Sequence, residues 1–213
     1  ALDEAACRAL LEGAGIPFLP AEAVTSADAA CAAAERLGWP VVLKVLSPDL
    51  AHKSEAGGVR LDLRDADALR AARDAMMAEV RAKAPGATIT GALVSPMLKG
   101  GVETVIGMTR DPVFGPLIMF GLGGVFVEVF RDVGFRLAPL TREEALRLVR
   151  SIRGFPLLDG ARGRSKADLG AIADALVALS RFAEAHPEAA SVEVNPFIAL
   201  PQGGFGVDAV ILR

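Results

Sequence analysis

The stretch VVLKVLSPDLAHKSEAGGVRLDL, residues 41–63, places a lysine inside an apolar run and follows it with a polar loop that ends in two glycines. The run predicts a β-strand over 41–46, on which Lys44 lies on the same face as Val42 and Leu46. Burying an ammonium without a partner is costly, so Lys44 either extends its amine to solvent or meets an anion. The loop that follows favours the anion.

This loop has the composition of a phosphate-binding segment. Ser54 offers a hydroxyl, and Gly57 and Gly58 offer backbone N–H groups that no side chain obstructs. It is not a P-loop, because the pattern G-x-x-x-x-G-K-[ST] is absent. His52 lies in the same loop and is suited to act as a nucleophile or a phosphoryl relay. A solvated histidine and an ordinary glycine turn remain the alternatives.

Composition excludes several classes of protein. The chain has 213 residues, a net charge of −3 and 52% hydrophobic residues, which is typical of a globular protein with a sizeable core. Charge and aromatic content give no signature of nucleic-acid binding. No membrane span and no signal peptide are visible, so we expect a cytoplasmic protein without a nucleic-acid or membrane partner. Cys7 and Cys31 lie on Ala-rich helical patterns and are expected to be core residues.

The order of predicted elements indicates an α+β protein with two lobes. The first lobe, 1–95, mixes helices with strands and is predicted to contain helices at 7–14, 27–37 and 69–80 and strands at 41–46, 58–63 and 88–94. The second lobe, 96–213, is predicted to contain strands at 102–108, 113–120, 125–129, 135–137, 191–194 and 205–212 and two helices. These two helices are predicted to start at the capping boxes Thr141–Glu144 and Ser165–Asp168. The hinge is expected near 95–99.

The last two strands predict a metal site. In SVEVNPF, residues 191–197, Glu193 and Asn195 share one face, and Asp208 interrupts an otherwise apolar strand. If a hairpin turn is centred on 201–202, opposed residues have numbers that sum to 403, and Asn195 lies opposite Asp208. Glu193, Asn195 and Asp208 then form an oxygen-only cluster, which suits Mg²⁺ bound to phosphates. An ordinary half-exposed strand shows the same alternation.

Three ordered motifs resemble one family. The segments LKVLSPDLAHKSEAGGV (43–59), GLGGVFVEVFRDVGFRLAPL (121–140) and VEVNPF (192–197) are similar to the ATP-grasp subunit of NDP-forming acyl-CoA synthetases, of the ADP-forming acetate–CoA ligase type. The resemblance extends over 7–213, and a more distant one links the chain to the β subunit of succinyl-CoA synthetase. It implies an ATP-grasp fold, with a nucleotide between the two lobes and with ATP/ADP and Mg²⁺ as cofactors.

The resemblance also implies roles for individual residues. It places metal ligands at Glu193, Asn195 and Asp208, and it implies that the connector 94–97 offers backbone groups to adenine. The family more often has Gln or Glu where this chain has Ser95. Glu103 resembles a nucleotide-binding glutamate of the family, although an exposed strand acid is the alternative. The glycines near Glu128 are expected to form a turn that lines the nucleotide site, and a purely structural turn is the alternative. The expected nucleotide-binding residues are Lys44, Ser54, Gly57, Gly58, Val94, Ser95, Met97, Glu103, Gly123 and Gly124.

The implied chemistry is reversible phosphoryl transfer, in which acyl-CoA, ADP and phosphate give acid, CoA and ATP. The resemblance implies that a CoA-binding partner, either an α subunit or fused N-terminal domains, supplies a phosphohistidine and binds the acid and CoA. It also matches His52 to a histidine that passes on the phosphoryl group. The sequence has no CoA-binding Rossmann pattern, so we expect a β subunit or part of a fused protein, inactive alone in acyl-CoA synthesis.

Two other functions fit the same pattern. One is a regulatory module that senses a nucleotide or acyl-CoA and is fused to a protein acyltransferase. The other is an ATP-grasp ligase that joins a carboxylate to an amine through an acyl phosphate. The HKSEAGGV loop argues against the second, and the intact candidate residues favour an enzyme over the regulatory module.

Overall fold

The computed structural model describes residues 2–50, 52–124, 132–163 and 165–213 and divides into two compact units. Unit 1 consists of Ala1–Ala6 and Leu19–Lys99, and unit 2 consists of Cys7–Phe18 and Gly100–Arg213. Both units combine helices with antiparallel strands, so the predicted α+β class is confirmed. No helix in the described part of the chain has the length and apolarity needed to cross a bilayer.

Unit 1 is built on a four-stranded antiparallel sheet in the order β1-β4-β2-β3. Its strands are β1 Glu22–Val24, β2 Val41–Leu46, β3 Val59–Leu63 and β4 Gly91–Pro96. Its helices are α2 Ala27–Leu37 and α3 Ala66–Lys83, and helix α1 Glu4–Gly13 starts in unit 1 and ends in unit 2. Helices α2 and α3 pack on one face of the sheet and enclose the core of the unit.

Strand β2 is fully buried and its two faces differ. Val41, Leu43 and Val45 belong to the core formed with α2 and α3. Lys44 therefore points to the other face of the sheet, together with Val42 and Leu46, as the alternation predicts. This placement explains how a lysine fits within a buried strand without entering the apolar core.

Unit 2 is built on a larger antiparallel sheet in the order β10-β8-β5-β6-β7, with β9 also paired to β8. Its strands are β5 Val102–Asp111, β6 Gly115–Leu122, β7 Val133–Leu137, β8 Ser191–Ala199, β9 Gly204–Gly206 and β10 Ala209–Leu212. Its helices are α4 Arg142–Ser151, α5 Phe155–Leu158, a 3₁₀ turn Ala161–Gly163 and α6 Leu169–Ala185. The predicted strand at 125–129 lies outside the described residues.

Segment 7–18 belongs to unit 2, whereas the order of elements in the sequence predicted it to be part of the first lobe. Phe18 forms a parallel bridge with Gly206, whose backbone N–H donates to the carbonyl of Pro17 at 2.8 Å. A side chain on Gly206 would meet the ring of Phe18, so the glycine permits this close approach. Cys7 and Cys31 are both buried, which confirms the prediction that they are core residues.

Of the two predicted capping boxes, one is confirmed and one is wrong. Thr141 caps α4 and exchanges hydrogen bonds with Glu144 in both directions. The second helix starts later than predicted, because Asp168 is itself the N-cap of α6 and accepts from the N–H of Ala171 at 3.0 Å. The other carboxylate oxygen of Asp168 accepts from the N–H of Gly203 at 2.9 Å, so this side chain also ties down the β8–β9 turn.

Asp168 gives unit 2 a pH-dependent contact. The N–H groups of Gly203 and Ala171 hold the pKa of this carboxyl below its usual value. A lowered folded-state pKa means that the contact stabilises the fold above the unfolded-state pKa, near 4, and is lost as the pH falls through the folded-state value. We expect Asp168→Ala to cost about 1 kcal/mol of unfolding free energy at pH 7, and less as the pH falls below about 4.

Urea unfolding of both chains from pH 7 to pH 3 measures this difference. Asp174→Ala serves as the control, because Asp174 lies on the same helix and forms an exposed ion pair with Arg142. A loss for Asp168→Ala that stays constant over the whole pH range would contradict the assignment.

Candidate functional site

A buried cluster of charges surrounds Lys44 in unit 1. Lys44 is 4% exposed, and its Nζ donates to Oε1 of Glu4 at 2.9 Å. The Nζ of Lys53 lies 3.2 Å from the other carboxylate oxygen of Glu4, whose side chain is itself buried. Lys44 therefore does not extend its amine to solvent but meets an anion, and that anion is the carboxylate of Glu4.

Sequence reasoning missed Glu4 and Lys53, the other two members of this cluster. Glu4, Cys7 and Leu11 are spaced by three and four residues, and all three are buried, so Glu4 lies on the apolar face of α1. A carboxylate on such a face is the signal that could have revealed it. Lys53 carried no such signal, because it lies in a polar loop between His52 and Ser54.

The loop after β2 alternates between exposed and buried side chains. His52 and Ser54 are exposed, while the intervening Lys53 is 5% exposed and pairs with Glu4. The backbone carbonyl of Lys53 also accepts from the N–H of Gly58 at 2.7 Å. The loop thus presents the imidazole of His52 to solvent from a segment that is anchored immediately beside it.

Gly57 and Gly58 have packing reasons to be glycine. A Cβ on Gly57, which has φ +72°, would lie 2.3 Å from the carboxylate of Glu79, and a Cβ on Gly58 would lie 2.4 Å from Val45. The N–H of Gly57 donates to the carbonyl of Ser54 and that of Gly58 to Lys53, so both donors are used inside the loop. Their contribution to nucleotide binding stays a prediction.

The predicted adenine connector begins inside β4. Val94 pairs with Glu22 of β1 on one side and with Leu43 of β2 on the other. It is the last residue along β4 that pairs with β1. Ser95 is buried opposite Val42, and the N–H of Met97 donates to the carbonyl of Pro40 at 2.9 Å. The connector is therefore fixed on its β2 side, and its contact with a base stays a prediction.

Three of the predicted nucleotide-binding residues come together in unit 2. The N–H of Gly123, just after β6, donates to the carbonyl of Glu103 on β5 at 2.8 Å. Gly124 has φ +61°, and a Cβ there would lie 3.4 Å from Oε2 of Glu103. The glycine turn therefore lies beside the exposed carboxylate of Glu103.

The pairing of β8 with β9 and β10 has the predicted register. Val194 pairs with Ala209 and Phe197 with Gly206, and both pairs have numbers that sum to 403. Between these pairs, the N–H of Asn195 donates to the carbonyl of Asp208 at 3.2 Å. The predicted single strand 205–212 is wrong, because β9 and β10 are separate, and Asp208 lies in the gap between them.

The side chains of Glu193, Asn195 and Asp208 carry the donor atoms that suit a hard cation. The Nδ2 of Asn195 donates to Oε1 of Glu193 at 3.0 Å, and Oδ1 of Asp208 accepts from the N–H of Ala209 at 2.8 Å. Glu193 is exposed and lies opposite Gly107 on β5, which has no side chain to cover it. Carboxylate and amide oxygens are the donors that Mg²⁺ prefers.

The carboxylates of Glu193 and Asp208 alone do not make a complete metal site. In the described residues, no three His, Cys, Asp or Glu side chains come together to hold a metal. The predicted cluster therefore depends on the amide oxygen of Asn195 as its third donor. Its role as a metal site stays a prediction.

Comparison with known proteins identifies the fold. A family model described as an ATP-grasp domain matches residues 1–212. The chain belongs to the ATP-grasp domain family. This ATP-grasp chain is 38% identical over 208 residues to the β subunit of ADP-forming acetate–CoA ligase I from Pyrococcus furiosus, a match that covers 98% of the chain and 90% of the relative. The family predicted from the three motifs is confirmed.

Some relatives are much longer than this ATP-grasp chain. It is 45% identical over 199 residues to ADP-forming acetate–CoA ligase I from Archaeoglobus fulgidus, a match that covers 93% of the chain but only 29% of that relative. The chain therefore spans most of a separate β subunit and less than a third of the longer ligase.

Solved structures confirm the ATP-grasp fold. A dinucleotide-forming acetyl-coenzyme A synthetase 1 from Ca. Korarchaeum cryptofilum, in complex with coenzyme A, Ca-AMPCP and HgCl⁺, has a TM-score of 0.96 and 42% identity, covering 100% of this chain and 93% of that one. Another structure of that protein, at a TM-score of 0.84 and 39% identity, covers 99% of this chain and 92% of that one. It holds coenzyme A and Mg-AMPPCP, and its phosphohistidine segment points towards the nucleotide-binding site.

Proposed function

We propose that this ATP-grasp chain is the nucleotide-binding, phosphoryl-transfer part of an ADP-forming acid–CoA ligase. The overall reaction converts acyl-CoA, ADP and phosphate to acid, CoA and ATP. The observation that most supports the proposal is the identity of 38% across 90% of a β subunit with that activity in its name.

The cofactors are ATP or ADP with Mg²⁺, and the partner is a CoA-binding α subunit or a fused domain. Nucleotide analogues with Mg²⁺ or Ca²⁺ in the similar Korarchaeum protein support these cofactors. The longer Archaeoglobus relative supports a fused arrangement in some proteins and the Pyrococcus β subunit a separate one in others. The two buried cysteines, which form no disulfide, are compatible with a reducing cytoplasmic location.

Within this chain, charged groups would bind phosphates and His52 would transfer the phosphoryl group. Lys44, with its ammonium held in place by Glu4, would neutralise phosphate oxygens. Glu193, Asn195 and Asp208 would hold Mg²⁺, which when bound neutralises further phosphate charge. The exposed His52 would pass the phosphoryl group between the partner's phosphohistidine and the nucleotide, because a neutral imidazole nitrogen is an adequate phosphoryl acceptor.

An assay of ATP formation tests this proposal. The chain is mixed with acetyl-CoA, ADP, phosphate and Mg²⁺, with and without a candidate CoA-binding partner, and ATP is measured by luciferase. ATP is expected only when both proteins are present. Nucleotide binding without any ATP formation across a panel of partners would favour the regulatory module instead.

A further inference from the structure

The carboxylate of Glu4, which is distant in the sequence, joins two lysines of the segment 41–63. One oxygen of Glu4 accepts from Lys44 on β2 at 2.9 Å, and the other lies 3.2 Å from the ammonium of Lys53 in the loop after β2. The side chains of all three residues are at most 5% exposed. Because these charged groups are buried away from water, each of them depends on its ion-pair partner, which constrains the positions of all three side chains.

The bridge connects two parts of the proposed phosphate site. Lys44 is the proposed phosphate ligand, and Lys53 is the neighbour of His52, the proposed phosphoryl carrier. The backbone carbonyl of Lys53 also accepts from the N–H of Gly58. Lys53 is therefore held in the loop both through its backbone and through its ammonium. A movement of Glu4 would therefore reach both the lysine and the loop.

Charge also favours a role with an anion. Glu4, Lys44 and Lys53 together carry one positive charge, counted over these three groups alone. Each ammonium has three N–H donors, so Lys44 can keep its contact with Glu4 and still donate to a phosphate oxygen. The contact with Glu4 thus orients the lysine through one of these donors.

We infer that Glu4 is a positioning residue, which aligns Lys44 and the loop of Lys53 for the phosphates of the nucleotide. This inference rests on the proposed function. Glutamine in place of Glu4 keeps the shape of the side chain but removes the negative charge and replaces one of the two carboxylate oxygens by an NH₂ group, which donates, so one of the two ammonium contacts is lost. Glu4→Gln is therefore expected to weaken Mg-ADP binding about tenfold.

Calorimetric titration of Mg-ADP into four chains tests the inference: wild type, Glu4→Gln, Lys53→Met and the double variant. If Glu4 acts through the lysines, the double variant binds no more weakly than the weaker single variant, at a loss of about tenfold and not about 100-fold. A purely structural role gives losses that multiply. Glu12→Gln, an exposed acid on the same helix, is the control and should bind as wild type does.

The outcomes separate this inference from the proposed function. A wild type without affinity for Mg-ADP would overturn the proposed function and the inference with it. A wild type that binds, with Glu4→Gln folded and within twofold of it, would overturn the inference alone, as would losses that multiply. If Glu4→Gln does not fold, the double variant, which also lacks the ammonium of Lys53, is compared with Lys53→Met. Equal Mg-ADP affinity of these two variants supports the positioning role, and a further loss in the double variant contradicts it.

Discussion

Replacement of Lys44 by methionine is expected to weaken Mg-ADP binding by at least about 100-fold. The methionine keeps the apolar stem of the buried strand position but removes the ammonium that would meet the phosphates. Lys53 still pairs with Glu4 in this variant, so the buried carboxylate keeps a counter-charge and the chain should stay folded. Calorimetry with Mg-ADP measures the affinity, and circular dichroism checks the fold.

Lys83→Met is the control for this variant. Lys83 is half-exposed and pairs with Glu79 on the same helix, so its loss should leave nucleotide affinity within about twofold. An unchanged affinity in folded Lys44→Met would mean that this lysine serves only to neutralise Glu4, and the proposed phosphate site would be wrong.

The second large effect is expected at His52. In the reconstituted complex, His52→Ala should lower ATP formation on the order of 10³-fold, while Mg-ADP affinity of the chain stays within about twofold. The reason is that the imidazole is proposed to carry the phosphoryl group and not to hold the nucleotide. Its exposure means that the substitution removes no core packing. Luciferase detection of ATP and calorimetry on the same preparation measure the two quantities.

Glu55→Ala is the matched control for His52→Ala, because Glu55 is exposed in the same loop. Its carbonyl, which accepts from Lys83 at 3.4 Å, is untouched by the substitution. Full ATP formation by His52→Ala would show that the partner's phosphohistidine reacts with the nucleotide directly. A parallel loss of Mg-ADP affinity would instead make His52 a binding residue.

The sequence predicted most elements because hydrophobic periodicity and local turn chemistry agree with the fold. The helix Ala27–Leu37 and the strand Val41–Leu46 have the predicted bounds. The hairpin register was accessible because a turn centred on 201–202 determines every opposed pair in antiparallel strands. These features depend on near neighbours in the chain.

Features that depend on distant neighbours could not be predicted. Lys44 and Lys53 meet at Glu4 only because the fold brings the first residue of α1 to strand β2 and the loop after it, and no local pattern encodes that contact. The membership of 7–18 in unit 2 depends likewise on the Phe18–Gly206 bridge. The break between β9 and β10 falls at Asp208, which was predicted to interrupt an otherwise apolar strand without ending it.

Whether this chain binds a magnesium nucleotide is decided by the dependence of ADP binding on Mg²⁺. ADP is titrated into wild type, Asp208→Ala and the control Asp174→Ala, each with Mg²⁺ and with EDTA. We predict that Mg²⁺ tightens binding to wild type and to Asp174→Ala at least about tenfold, and that Asp208→Ala loses this gain. Equal affinity with Mg²⁺ and with EDTA in wild type, or a full gain in Asp208→Ala, would contradict the account.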